Sequence, residues 1–188
     1  MNPLQQRILS QGQVKSAAAL DASAFLTKQV DVDLLNWCAQ TIGEHYKGAN
    51  IDRIITIEAG GIAIGTLTAL AMNKPLVICK KAASILDNRE LYTTSVKSFT
   101  KNTEYTLSCD KSHLNAGERV LFIDDFLAHG QALLGMYRVC QQANVELAGL
   151  GIVIEKAFQA GHQFAEELSL PLLSLARLTE LEPEIRFD

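Results

Sequence analysis

A chain of 188 residues with 48% hydrophobic and 20% charged residues has the composition of a globular domain with a full core, not of a disordered segment. Its net charge of −4 argues against a sequence-independent nucleic-acid footprint, and no apolar run approaches the roughly 18 residues that a membrane span needs. The opening MNPLQQRILSQGQ lacks the apolar core of a secretory signal, and Cys38, Cys79, Cys109 and Cys140 form no C-x-x-C pair, so a cytoplasmic protein with reduced thiols is expected.

Apolar spacing predicts a short helix over residues 3–9, with Leu4 and Ile8 on one face, ending near Gly12. Residues 15–28 show no clear period. Asp31 reads as the cap of a helix whose stripe is Leu34, Leu35, Trp37, Cys38 and Ile42, with Trp37 in the core. The β-branched run at 53–58 is a buried strand; Ala59-Gly60-Gly61 turns into a helix at 62–72, and 75–79 is the next strand, completing a βαβ unit. Residues 80–88 have no period. Residues 92–100 and 105–109 are rich in β-formers and read as a hairpin. A strand at 120–123, a helix at 131–143, a strand at 149–154, a helix at 159–168 and a strand at 172–176 complete the pattern. The class is α/β, a doubly wound, mostly parallel sheet with an inserted hairpin, as a single domain over 1–188.

The densest chemistry lies in VLFIDDFLAHGQALL, residues 120–134. Four apolar residues run into the carboxylates Asp124 and Asp125, and a short connector leads into a helix. Open α/β sheets bind ligands at the carboxyl edge of their strands. A helix start offers free N–H groups and a positive dipole end to an anion. Together these suit a sugar phosphate, with its diol on the acids and its phosphate in the loop. Glu58-Ala59-Gly60-Gly61 is either an ordinary tight βα turn or a second anion cradle. Lys80 and Lys81 are a solvated charge pair unless the ligand carries a pyrophosphate, where two ammonium groups are useful; the residues from there to Phe99 then read as a lid. Glu155-Lys156-Ala157-Phe158 is either a polar strand end or a base pocket, with an ammonium for an exocyclic oxygen and an aromatic for stacking. His45, His113 and His162 have no paired spacing and read as surface or loop residues, and no protein cage for a metal is expected.

Residues 120–132, with Asp124, Asp125 and the loop Ala128-His129-Gly130-Gln131-Ala132, resemble the phosphoribosyl-diphosphate (PRPP) motif of the type I phosphoribosyltransferases. MNPLQQRILSQG, residues 20–31, TIEAGGIA (56–63), TTSVKSFTK (93–101) and GLGIVIEKAFQAG (149–161) extend the resemblance over nearly the whole chain, toward bacterial members that act on xanthine. The resemblance implies that Asp124 and Asp125 hold the ribose hydroxyls and that Ala128 to Ala132 hold the 5-phosphate. It implies that Glu58, Ala59, Gly60 and Gly61 wrap the pyrophosphate, with Lys81 beside them. Leu20, Thr27 and Lys156 would contact the base under an N-terminal hood within residues 1–35. The implied activity is transfer of phosphoribose from PRPP to xanthine, with Mg²⁺ carried by PRPP, in a homodimer with no nucleic-acid or membrane partner. Three positions depart from the family's pattern. His129-Gly130-Gln131-Ala132 stands where many members carry Thr-Gly-Gly-Thr. Ala128 replaces an Asp found in several purine-specific members, and Thr27 an Asn. Two alternatives stay open: a guanine or hypoxanthine enzyme of the same class, or a PRPP-sensing purine regulator. Known regulators of that kind carry an extra N-terminal DNA-binding domain, and a first sheet strand near residue 53 leaves no room for one ahead of the hood.

Overall fold

In the computed structural model, which describes residues 1–81, 90–98 and 103–188, the chain opens with α1 (Pro3–Gln11), a hairpin of β1 (Gln13–Ser16) and β2 (Ala19–Asp21), the one-turn α2 (Ser23–Leu26) and α3 (Val32–His45). The βαβ unit follows as β3 (Arg53–Ile57), α4 (Gly61–Met72) and β4 (Leu76–Cys79). A hairpin of β5 (Leu91–Ser98) and β6 (Thr103–Asp110) precedes β7 (Arg119–Leu127), α5 (Gln131–Ala143), β8 (Glu146–Lys156), α6 (Gly161–Glu167), β9 (Leu172–Glu180) and β10 (Arg186–Phe187).

The central sheet has the order β10-β9-β8-β7-β3-β4 and is parallel except for β10. Strands covered on both faces must be apolar along their length, and β8 is buried from Leu147 through Glu155. Leu4 and Ile8 of α1, Leu35 and Ile42 of α3 and Ile64 of α4 cover one face; Leu107 of β6, Leu133, Met136 and Val139 of α5 and Ala165 of α6 cover the other. Helices on both faces make the sheet doubly wound, as the spacing predicts. Among the described residues no helix is long and apolar enough to cross a membrane, and all four cysteines are buried and free.

Where the structure departs from the sequence pattern, a local cause is visible. β1 is mostly exposed and β2 is three residues long, so neither leaves an alternation to read. β9 runs past residue 176 to Glu180 because β8 pairs with it up to Lys156↔Leu178 and β10 up to Arg186↔Glu180. β7 likewise runs past Ile123, so the two acids lie within the strand, not after it. β8 stays paired beyond them through Asp124↔Ile152 and Phe126↔Ile154, whereas pairing with β3 stops at Ile55↔Phe122. The upper end of β7 is therefore open on its β3 side. Trp37 is half-buried against the core, not within it. Residues 82–89 and 99–102, which include much of the expected lid, lie outside the described residues.

At the opposite end of the same two strands, Arg53 Nε and Nη2 donate to Glu118 Oε2 and Oε1 at 2.9 and 2.6 Å, and Asn115 donates twice more. The guanidinium first, then the Asn115 donors, hold the Glu118 carboxyl down to about 2. A depressed carboxylate stabilises the fold above its unfolded value near 4.3, and that contribution is lost as pH falls toward 2; it is worth on the order of 2 kcal/mol. Glu118→Gln should therefore lower the urea midpoint at pH 7 and flatten its fall between pH 4.5 and 2.5. An unchanged acid limb would show that the pair is not coupled to folding.

Candidate functional site

The open side of β7 is filled by the turn between β3 and α4. A Cβ on Gly60 would lie 2.3 Å from Asp125 Oδ2. One on Gly61 would lie 1.9 Å from Thr56 Oγ1 and 3.1 Å from Asp124 Oδ1. Only residues without a side chain let the turn approach this closely. Thr56 is itself fixed, its buried hydroxyl donating to the Ile123 carbonyl at 2.6 Å. The peptide bond Glu58–Ala59 is cis. Two motifs far apart in sequence thus form one site, and the contact depends on the parallel pairing of β3 with β7.

Asp124 is only 9% exposed, and the Asp125 N–H donates to its Oδ1 at 3.0 Å. Burial first, then the charge of Asp125, push the Asp124 carboxyl well above the usual carboxylate range, while Lys81 pulls it back. Asp124 lines a cavity of about 150 Å³ together with Lys81, Tyr105, Phe126 and the whole loop from Ala128 to Ala132. Gly130 takes a left-handed φ of +76°, and a Cβ there would meet Phe164 of α6 at 2.6 Å. α5 then begins at Gln131 and α4 at Gly61, and neither start has a side-chain cap. Their first N–H groups are donors without a side-chain acceptor, at the positive ends of two helix dipoles. A pair of carboxylates lies between them. That geometry can take a diol at its centre and an anion at each end.

Glu58 and the end of β4 frame one anion end. Lys80 Nζ is 3.5 Å from Glu58 Oε2, the Lys81 N–H donates to Glu58 Oε1 at 3.3 Å, and Lys81 Nζ lies 5.7 Å from the Tyr105 ring centre. Burial and the Asp124 charge raise the Tyr105 hydroxyl. Tyr105 is a site residue that no motif marks, although the alternation Tyr105, Leu107, Cys109 in β6 marks its inward face. Asp124 and Asp125 supply hard oxygen donors suited to Mg²⁺. Among the described residues no three ligating side chains converge.

The other end of the site lies under the β1–β2 hairpin. Lys156, the last residue of β8, donates from Nζ to the Ala18 carbonyl at 2.9 Å and stands 5.5 Å from the Phe126 ring centre. Burial lowers its ammonium below the usual range. Leu20 is buried in β2 of the same hairpin. Thr27 closes α2 as an exposed residue, and its described bond is local, N–H to the Ser23 carbonyl. Phe158, expected as the stacking aromatic, is 40% exposed and lines an open cleft with Gln159, His162 and Arg177; Phe126 is the ring beside Lys156. His162 is no bland surface residue: its Nδ1 lies 2.8 Å from Oε1 of the buried Glu155, which also accepts from Arg177 Nε at 3.1 Å.

Residues 27–168 match the family model described as phosphoribosyl transferase domain. The chain is 44% identical over 185 residues to a xanthine phosphoribosyltransferase of Clostridium botulinum, covering 98% of this chain and 97% of that protein. It is 43% identical to the Bifidobacterium adolescentis protein of that name, covering 98% and 96%. Among solved structures it is similar to adenine phosphoribosyltransferase from Trypanosoma brucei in complex with AMP, pyrophosphate and ribose-5-phosphate, with a TM-score of 0.79 over 93% of this chain and 79% of that one at 17% identity. The enzyme from Giardia lamblia complexed with 9-deazaadenine gives 0.77 over 94% and 98% at 19% identity. At that identity these structures show the fold alone.

Proposed function

This chain belongs to the phosphoribosyl transferase family, and from that premise we propose that it transfers the 5-phosphoribosyl group of PRPP to xanthine, forming xanthosine 5-monophosphate and pyrophosphate in purine salvage. The observation that carries the proposal is the placement of Asp124 and Asp125 between two uncapped helix starts. In this reading the two carboxylates bind the ribose 2- and 3-hydroxyls and oppose the positive charge of an oxocarbenium-like transition state. The N–H groups of Ala128 to Ala132 hold the 5-phosphate, and Glu58 to Gly61 with Lys81 hold the pyrophosphate. Lys156 donates to a base oxygen, with Leu20 and Thr27 completing the hood side.

Ala128 and Ala132 bring no proton acceptor, so in this reading the loop's part is to anchor the 5-phosphate. Mg²⁺ entering with PRPP, beside Asp124 and Asp125, would neutralise the leaving pyrophosphate. The xanthine assignment is supported by the two relatives and by the half-buried ammonium of Lys156. A homodimer belongs to the same reading, supported by Leu70 on α4 and Ile78 on the edge strand β4, which are 76% and 39% exposed. So do a single domain over residues 1–188 and a place in the cytoplasm. Incubation with PRPP, Mg²⁺ and xanthine should give xanthosine 5-monophosphate and pyrophosphate in equal amounts. No nucleotide from any purine base would overturn the proposal.

A further inference from the structure

The base end of the site contains a polar atom that the reaction above leaves unused. Gln159 follows Lys156 by one turn of chain, and its N–H donates to the Lys156 carbonyl at 2.9 Å. Its side-chain Nε2 donates to the Ala18 carbonyl at 3.4 Å, the same oxygen that accepts from Lys156 Nζ at 2.9 Å. The two head groups converge on one point beneath the hood, beside the Phe126 ring. The amide's other atom, Oε1, is buried with no hydrogen-bond partner among the described residues. Two other side-chain oxygens share that condition, in α4 and β9, but only Gln159 adjoins a proposed site residue. A buried amide oxygen without a donor is costly, so such atoms are uncommon unless something supplies the donor.

We infer that Gln159 is a specificity-determining residue: Oε1 accepts an N–H of the base while Lys156 donates to the adjoining carbonyl oxygen. This rests on the transferase reading above and deepens it. An ammonium donor beside an amide acceptor is complementary to the C(=O)–N–H lactam edge of an oxopurine. The matching edge of adenine has the reverse polarity, an amino donor next to an unprotonated ring nitrogen. Adenine would set N–H against N–H and lone pair against lone pair, a mismatch that discriminates strongly in a buried site.

Two variants test this. Gln159→Met keeps the length and removes both amide atoms; Gln159→Glu keeps the acceptor and loses the Nε2 donor to the hood. The Met variant should raise KM for xanthine on the order of ten-fold or more, with kcat and KM for PRPP little changed. The Glu variant should stay within a few-fold of the native KM. An unchanged KM in the Met variant would overturn the inference. So would a Glu variant as impaired as the Met variant, because Gln159 would then act only by tying down the hood. The unaltered protein is the control for the premise: if it forms no nucleotide from xanthine, the xanthine reading fails, whatever the variants do.

Discussion

Asp124→Asn should yield a protein at least as stable as the native chain and slower by a factor on the order of 10²–10³ in kcat. The two halves of that result have one cause. Asp124 is buried beside Asp125, and its carboxyl is raised well above the usual range by desolvation and by that neighbour. A raised folded-state value means that stability is lost as pH rises from the unfolded value, near 3.9, through the folded one. An acid raised in this way destabilises the fold at pH 7, a burden that a neutral amide does not impose. The Asn Oδ1 can still accept the Asp125 N–H, so the local hydrogen bond survives. What disappears is the negative charge beside the proposed ribose, where positive charge develops in the transition state. Thermal melts and steady-state kinetics on one preparation decide it. A destabilised Asn variant with near-native kcat would reverse both halves and remove Asp124 from the proposed site.

The second large effect separates adjacent glycines. Gly61→Ala should cost about 3 kcal/mol or more of stability, because the new methyl would collide with a fixed, buried group. Thr56 Oγ1 lies 1.9 Å from where that Cβ would be, and its hydroxyl is committed to the Ile123 carbonyl. Gly60→Ala should cost less in melting temperature. Its φ of −60° suits alanine, and the group in the way, 2.3 Å from the new Cβ, is the half-exposed Asp125 carboxylate, which can turn aside by giving up the Phe126 N–H it accepts at 2.9 Å. That displacement should fall on the substrate instead, raising KM for PRPP on the order of ten-fold, roughly one lost charge-assisted hydrogen bond. Equal melting losses in the two variants, with KM for PRPP unchanged in Gly60→Ala, would contradict the placement of the turn against the acids.

Much of the fold is legible in the chain because its signals are local. Continuous apolar runs mark β3, β7 and β8, and the stripe Leu133, Met136, Tyr137, Cys140 marks α5. The carboxylates and the phosphate loop are equally local, both within residues 124–132, and strand ends followed by helix starts are where ligands bind in such sheets. The contact of Gly60 and Gly61 with the acids is different. It exists only because β3 pairs with β7 and then stops short of Asp124, which no spacing within either segment encodes; resemblance to the family supplied that link. The base end is the least legible part. Lys156 shows by its strand-end position, but Phe126 lies inside the acid motif, where the pattern marks only a connector, and the spacing points to the exposed Phe158 instead. The β1–β2 hairpin, which brings Ala18 to Lys156, carries almost no hydrophobic pattern and gave no sign of itself. Thr27 came from resemblance alone, and its described bonds leave it apart from Lys156.

The most direct measurement is nucleotide formation with PRPP and Mg²⁺ against xanthine, guanine, hypoxanthine and adenine, each read as kcat/KM. Xanthine should be the best substrate, guanine and hypoxanthine poorer, and adenine should give no detectable product. Comparable values for guanine or hypoxanthine would contradict the xanthine assignment, and the absence of nucleotide from all four bases would contradict phosphoribosyl transfer itself.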